Sequence, residues 1–250
     1  MVKDRMAVLT ALMDQGVIPV FYHPDVEVCK NVIQACADGG APCIEFTNRG
    51  DFASHVFYEV TRYFDKADPR VIMGVGSIVD APTAGIYIAN GAKFVVGPIL
   101  NADVAKVCNR RKIPYSPGCG SASEISYAEE LGCEIVKVFP GSSVGGPDFV
   151  KAVLGPMPWT RIMPTGGVDP DEASVKKWFG AGIVAAGMAM TGGTVRVLDE
   201  TGKVIASGKA VSATTGAYGP ITLAGAGPFR VEACGTAGDH AICVWGATAG

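Results

Sequence analysis

The chain has 250 residues, of which 48% are hydrophobic and 18% charged, with a formal net charge of −3. Such a chain is long enough to bury a sizeable core, and its balanced charge, without a basic patch, argues against a nucleic-acid partner. Its apolar runs all fall short of the roughly 20 residues that a membrane-spanning helix requires, so no membrane partner is expected.

The first predicted element is a short amphipathic helix in the segment MVKDRMAVLTALMDQG, residues 1–16. This segment lacks the long apolar stretch of a secretory signal peptide, so we expect a cytoplasmic protein with reduced thiols. Six cysteines are scattered through the following segments without a C-x-x-C pair, which argues against zinc. These are Cys29, Cys36, Cys43, Cys108, Cys119 and Cys133.

From residue 16 to about residue 190, short apolar runs alternate with helical patterns. The runs typical of strands are GVIPVFY, PCIEFT, VIMGVG, KFVVGP, IPYSPG, EIVKVFP, TRIMPTGG and GIVAAGM. Pro24 suits the first position of a helix that ends at Gly39-Gly40, and Asp169-Pro170 suits the start of the last helix. Because helices rather than tight turns separate the runs, the pattern predicts a parallel (β/α)₈ TIM barrel. An open doubly wound sheet is the alternative, but its glycine-rich dinucleotide turn is absent.

Residues 191–250 follow a different pattern, because 12 of these 60 residues are glycine and the helical periodicity is lost. The segment GTVRVLDETGKVIASGKAV alternates like two strands around a turn at residues 200–203, which predicts a small β-sandwich or β-meander module. Cys234 and Cys243 could face each other across a hairpin, as a disulfide or, in a reducing compartment, as a free pair.

The predicted strand GIVAAGM passes straight into this glycine-rich region, where a complete barrel would have its eighth helix. We therefore expect residues 1–190 to form a barrel that lacks its last helix, and residues 191–250 to be a separate module, possibly added by fusion. Without that helix, the seam between the last and first strands would be covered by the module or by an oligomer partner, or the barrel would be strained there.

Functional groups of a TIM barrel gather at the C-terminal ends of its strands. One lysine, one carboxylate, one arginine and two glycine-bearing loops are predicted there, all facing a single mouth. The candidate residues are Glu45, Thr47, Arg49, Ser77, Pro98, Pro117, Lys137, Phe139, Thr165, Gly166, Gly167 and Gly187.

Lys137 interrupts the apolar run of a buried strand, where an ammonium group is costly. Burial lowers the pKa of an amine, and a neutral amine can attack a ketone to form a Schiff base. The alternative is a lysine that pairs with a carboxylate. Glu45 is equally unusual in PCIEFT and is expected at the same end of the barrel, either as a proton shuttle or as the counter-ion of Lys137.

Gly166 and Gly167 precede a helix and follow the seventh predicted strand, where barrels often bind phosphate; a plain turn is the alternative. Arg49 is suited to clamp a carboxylate or phosphate with paired hydrogen bonds. The three histidines, His23, His55 and His240, do not cluster with acids or cysteines, so we assign them no metal-binding or nucleophile-activating role.

The motifs IEFTNRG, GVGSIVD, FVVGP, YSPGCGS, VKVFPG and MPTGGV occur in this order over residues 1–190. Their order resembles the 2-keto-3-deoxy-6-phosphogluconate (KDPG) aldolase family, which includes 4-hydroxy-2-oxoglutarate aldolases. The resemblance implies a homotrimeric, cofactor-free lyase of the class I type, in which Lys137 forms the Schiff base and Glu45 is the general acid and base.

The same resemblance implies that Arg49 holds the substrate carboxylate or phosphate and that Pro98 lines the pocket. It also places Thr165, Gly166 and Gly167 in the loop at the substrate and phosphate end. Two features depart from the family pattern. Gly187-Met188-Ala189-Met190 stands where the family usually has a glycine-serine step, and the final helix is missing.

The expected reaction is cleavage of KDPG to pyruvate and glyceraldehyde 3-phosphate. Two alternatives remain open at this point. The first is an aldolase for another 2-keto acid such as 4-hydroxy-2-oxoglutarate, which loss of the phosphate-binding serine would favour. The second is a trimeric barrel that serves as a scaffold for residues 191–250, which resemble β-sandwich modules of bacterial surface proteins.

Overall fold

The computed structural model describes residues 4–169 and 172–189, together with the backbone of four further strands after residue 192. In the first part, helices separate nine strands, except that the fifth and sixth strands follow each other directly. The strands are β1 Val17–Phe21, β2 Cys43–Thr47, β3 Ile72–Gly76, β4 Val95–Val96, β5 Tyr115–Ser116, β6 Gly118–Cys119, β7 Val136–Val138, β8 Ile162–Pro164 and β9 Ala186–Ala189.

These strands pair in parallel in the orders β5-β4-β3-β2-β1-β9 and β6-β7-β8. A parallel bridge between Thr165 and Gly187 joins the end of β8 to β9, and β5 runs into β6 through Pro117. The result is an α/β fold of the TIM-barrel type, as expected. The predicted fifth strand differs in detail, because Pro117, which lacks an N–H group, divides it into β5 and β6.

Eight helices accompany the strands in this part of the chain. They are α1 Arg5–Gln15, α2 Val26–Asp38, α3 Ala53–Ala67, α4 Ala81–Ala89, α5 Ala102–Arg111, α6 Ala122–Glu130, α7 Gly146–Leu154 and α8 Glu172–Phe179. The predicted exit of α2 is confirmed, with Gly39 as its C-cap. Its predicted start at Pro24 is wrong, because the Asp25 side chain accepts hydrogen bonds from two backbone N–H groups and caps a helix that begins at Val26, two residues later.

The core has an outer and an inner layer. The outer layer packs strand residues such as Ile44 and Val136 against the surrounding helices. The inner layer fills the end of the barrel at which the strands begin, with Cys43 and Ile135 among its members. Alternate residues of β2 and β7 therefore face outwards and inwards, as the two-residue period of a strand requires.

Helix α1 closes this end of the barrel. Val8, Leu9 and Leu12 are buried in the inner apolar layer. The Arg5 guanidinium anchors the helix, since it donates hydrogen bonds to both carboxylate oxygens of Glu134, at 2.8 and 2.9 Å, and to the Asn109 side chain at 2.7 Å. Glu134 precedes β7, so α1 is tied directly to the segment that leads to Lys137.

The backbone strands after residue 192 are β10 Gly193–Asp199, β11 Val204–Lys209, β12 Phe229–Ala237 and β13 His240–Ala249. They form one antiparallel sheet in the order β11-β10-β12-β13, and the described residues beyond Ala189 include no helix. Cys234 lies opposite Cys243 in the β12–β13 register. Their side chains are outside the described residues, so the state of this pair remains a prediction. Within the described residues, no helix combines the length and apolar character needed to cross a bilayer.

Candidate active site

Lys137 and Glu45 project into the same interior, just above the inner apolar layer. Lys137 lies two residues after Ile135 on β7, and Glu45 lies two residues after Cys43 on β2, so both share the inward face. Their exposed fractions are 5% and 2%. The predicted juxtaposition of a buried amine and a buried carboxyl group at the mouth end of the barrel is therefore present.

The two groups do not form an ion pair, since no carboxylate among the described residues lies within 4.0 Å of Lys137 Nζ. Burial lowers the pKa of Lys137, opposed by the Glu45 charge and assisted by Arg49. Burial also raises the pKa of Glu45, opposed by the positive charges of Lys137 and Arg49. Both shifts favour the neutral forms, a nucleophilic amine and a carboxylic acid.

The Glu45 carboxyl group has one buried oxygen, Oε2, that has no hydrogen-bond partner among the described residues. Gly76 on the adjacent strand makes room for the other oxygen. A Cβ atom at residue 76 would overlap Glu45 Oε1 and would lie 2.6 Å from Cδ. Glycine at this position therefore leaves the space that the Glu45 carboxyl group occupies, and Glu45 can extend into the interior because the neighbouring strand has no side chain there.

Arg49 follows β2 and is exposed at the mouth. Its Nε donates a hydrogen bond of 3.3 Å to Ser77 Oγ, which ties the loop after β2 to the loop after β3. Ser77 has a left-handed backbone with φ of 61°, unusual for a residue other than glycine. This strained serine holds the Arg49 side chain, whose charge acts on both Lys137 and Glu45.

Thr165 and Gly187 face each other where β8 and β9 end. Thr165 is 8% exposed, and its buried hydroxyl oxygen has no hydrogen-bond partner in the described part of the chain. A Cβ atom at Gly187 would come within 2.5 Å of that oxygen. The glycine therefore leaves the Thr165 hydroxyl unobstructed, as a free donor and acceptor at the inner rim.

Gly166 and Gly167 form the turn after β8, with left-handed φ values of 87° and 78°. Both residues are exposed at the mouth. Residues with a Cβ atom rarely adopt this conformation, so the glycine pair is needed to shape the turn. No Cβ atom shields the backbone at these two residues, so a ligand can approach it closely.

The other predicted site residues lie at the same end of the barrel. The Phe139 ring packs over Lys137, with Nζ 4.6 Å from the ring centroid. The Pro98 carbonyl lies against Gly118, which pairs with Lys137 in the β6–β7 register. The Thr47 hydroxyl is committed elsewhere, because it donates to the Phe21 carbonyl oxygen at 3.4 Å.

Other reactive groups in the described part of the chain contribute little to this site. Six buried cysteines form no disulfide, and burial raises the pKa of five of them to about 12, which keeps those thiols protonated. No group of acids, histidines and cysteines among the described residues could hold a metal ion. A groove of about 790 Å³ near Tyr58, Arg62 and Lys93 contains none of the predicted site residues.

The family model described as KDPG and KHG aldolase matches residues 8–204. The chain belongs to the KDPG and KHG aldolase family. The 2-dehydro-3-deoxy-phosphogluconate aldolase of Treponema pallidum is 34% identical to this chain over 163 residues, which cover 65% of this chain and 76% of that protein.

Two solved structures of the family share the fold. The KDPG aldolase of Zymomonas mobilis with 3-phosphoglycerate is 25% identical, with a TM-score of 0.65, and the match covers 72% of this chain and 83% of that one. The KDPG aldolase of Legionella pneumophila, with pyruvate captured as a covalent carbinolamine, is 24% identical with a TM-score of 0.66. That match covers 74% of this chain and 85% of the other.

Sequence reasoning missed two residues of the site. Gly76 lies within the quoted motif GVGSIVD, but the need for glycine depends on the Glu45 side chain of the neighbouring strand. Ser142, in the loop after β7, lies directly against Gly167. Its only sequence signal is a pair of hydroxyl residues soon after the lysine strand.

Proposed function

We propose that this protein is a class I aldolase that cleaves KDPG to pyruvate and glyceraldehyde 3-phosphate. The observation that carries the proposal is the buried Lys137 and Glu45, which share one interior without forming an ion pair. A purely structural lysine would be expected to pair with its neighbouring carboxylate. The pKa shifts, downward for Lys137 and upward for Glu45, favour the neutral amine and the protonated acid that imine formation needs.

The first half of the reaction forms the imine. The neutral Lys137 amine attacks the C2 ketone, and a proton passes from nitrogen to the former carbonyl oxygen to give a carbinolamine. Glu45 then donates its proton to the hydroxyl group, which leaves as water. The products of this half are a protonated imine and a Glu45 carboxylate.

The second half breaks the carbon–carbon bond. The Glu45 carboxylate removes the proton of the C4 hydroxyl, the C3–C4 bond breaks, and its electron pair forms the enamine of pyruvate. Glyceraldehyde 3-phosphate leaves. Glu45 returns the proton to C3, and water then attacks the imine carbon, with Glu45 accepting a proton, so that hydrolysis releases pyruvate and restores Lys137.

The carboxylate end of the substrate is assigned to Arg49 and Thr165. Arg49 is held by Ser77 at the rim, and its guanidinium can donate two parallel hydrogen bonds to a carboxylate. The unpartnered Thr165 hydroxyl supplies a third donor. Phe139 and Pro98 would line the pocket around C2 and C3 of the substrate. The Thr47 hydroxyl is hydrogen-bonded to β1, so Thr47 would contact the substrate without donating a hydrogen bond to it.

The phosphate end is assigned to Gly166, Gly167 and Gly187, beside the exposed Ala189. Ala189 and the following Met190 offer no side-chain hydroxyl where family members usually have a serine. 4-Hydroxy-2-oxoglutarate, which has no phosphate, is therefore the substrate to compare directly. A higher kcat/KM for KDPG supports the proposal, and a higher value for 4-hydroxy-2-oxoglutarate reassigns the substrate within the same chemistry.

We also propose a homotrimer, in which a barrel of residues 1–190 without a final helix is followed by a small all-β module in residues 191–250. Three exposed apolar side chains support an interface between subunits on this side of the barrel. They are Val79, Ile86 and Ile99, on α4 and neighbouring loops. Buried thiols without disulfides support a reducing, cytoplasmic location. Light scattering tests the assembly, since a trimer has three times the chain mass.

The decisive experiment is borohydride reduction in the presence of pyruvate, followed by peptide mapping. A pyruvyl adduct on Lys137, together with pyruvate release from KDPG, is the expected result. A folded protein that gives neither adduct nor turnover contradicts the proposal and supports a scaffold role. A pyruvyl adduct on another lysine would keep the imine chemistry but remove Lys137 from its role.

A further inference from the structure

The loop that follows β7 is bound tightly to the Gly166-Gly167 turn. The N–H group of Gly141 donates to the Thr165 carbonyl at 2.9 Å, and that of Ser142 donates to the Gly166 carbonyl at 3.0 Å. Both loops lie at the mouth end of the barrel, one after the lysine strand and one after its neighbour. Residues of the β7 loop are therefore fixed against the turn assigned to the phosphate end.

The carbonyl groups of this turn are occupied by donors of the protein. Besides the two bonds from the β7 loop, Trp178 Nε1 donates to the Gly167 carbonyl at 3.0 Å. Trp178 itself is buried, so its ring is fixed in position and the bond is partly shielded from solvent. Three consecutive carbonyl oxygens, of residues 165–167, are thus engaged, which reduces their repulsion of an approaching anion.

The Ser142 side chain lies beside Gly167 of this turn. A Cβ atom at Gly167 would overlap Ser142 Cβ and would lie 2.5 Å from Ser142 Oγ, so the hydroxyl group lies directly beside the glycine backbone. Ser142 is exposed, and no hydrogen bond of its hydroxyl group is formed with the described residues. The hydroxyl is therefore available to donate to a ligand.

We infer that Ser142 is a specificity-determining residue that donates a hydrogen bond to the phosphate of the substrate. This inference rests on the proposed function. The chain has no hydroxyl at the end of β9, where Ala189 is found, and Ser142 supplies one from the opposite side of the Gly166-Gly167 turn. The β7 loop, rather than the β9 loop, then distinguishes a phosphorylated substrate from one without phosphate.

The test compares Ser142→Ala with Ser143→Ala, an exposed neighbour with the same side chain. For Ser142→Ala we expect KM for KDPG to rise about tenfold to a hundredfold, as for loss of a hydrogen bond to a charged group. KM for the unphosphorylated 2-keto-3-deoxygluconate should not change. Ser143→Ala should match the unaltered protein, and Ser142→Thr, which keeps a hydroxyl, should retain most of the affinity.

Calorimetric binding of glycerol 3-phosphate provides a readout that is independent of turnover. Weaker binding by Ser142→Ala, but not by Ser143→Ala, supports the inference even if KDPG is not the substrate. Equal binding by all variants, or an equal rise in KM for both substrates, overturns it. Failure of the proposed function is a separate result, namely no turnover and no pyruvyl adduct in the unaltered protein.

Discussion

Replacement of Gly76 by alanine tests whether Glu45 works from the position described here. The added Cβ atom would lie 2.6 Å from Glu45 Cδ, whereas non-bonded carbon atoms are comfortable at about 3.5–4.0 Å. The carboxyl group must therefore retreat by about 1 Å. A misplacement of that size in a reacting group lowers turnover by about a hundredfold, and the overpacked interior costs about 1–3 kcal/mol of stability.

Turnover is measured by coupling pyruvate release from KDPG to lactate dehydrogenase. Stability is measured by thermal unfolding of the same samples. Gly85→Ala is the matched control, because a Cβ atom built at this position of α4 meets no described atom within 4 Å beyond its own helix backbone and chain neighbours. That variant should keep full activity and gain about 0.5–1 kcal/mol of stability, since alanine favours a helix over glycine. Full turnover by Gly76→Ala would refute the assigned position of Glu45 as the proton-transfer group.

Three further predictions concern the same interior. Lys137→Met should abolish borohydride trapping and turnover while raising the free energy of unfolding by about 1–2 kcal/mol, because a costly buried amine is removed; a lower melting temperature would contradict this. The pKa of Lys137 is lowered from 10.5 and that of Glu45 is raised from 4.5. Both groups belong to the free enzyme, so kcat/KM should be bell-shaped in pH, with both limbs between these values; a kcat/KM that climbs to pH 10.5 would show a fully solvated lysine. Thr165→Val, which removes an unpartnered hydroxyl at nearly constant volume, should weaken pyruvate binding about tenfold without loss of stability, as measured by the pyruvate concentration needed for trapping.

Lys137 and Glu45 could be predicted from the sequence because each is a charged residue in a short apolar run. Such a run forms a strand, the two-residue period fixes which residues share a face, and the parallel arrangement brings the strand ends together. The fold type and the family follow from the same local patterns and from the order of the motifs.

Gly76 and Ser142 could not be predicted in this way, because their importance depends on register between strands that are distant in sequence. The need for glycine at residue 76 exists only because β3 lies beside Glu45, and Ser142 matters because its loop bonds to the turn after β8. The misplaced start of α2 has a more local cause. Asp25 can satisfy two backbone N–H groups at once, and this capping outweighs the preference of Pro24 for a first helical position.

Helix α1 and the inner apolar layer close one end of the barrel, and Lys137 lies immediately above this layer. Substrate can therefore enter and leave only at the mouth, with the pyruvate fragment deep in the site and the aldehyde fragment nearer the opening. In the proposed reaction the pyruvate fragment is also bonded to Lys137 when the aldehyde is released, so the products leave in a compulsory order, aldehyde first and pyruvate second. Pyruvate alone would compete with intact substrate for the unoccupied enzyme, and the ketone-derived half would stay attached long enough to accept a different aldehyde from solution.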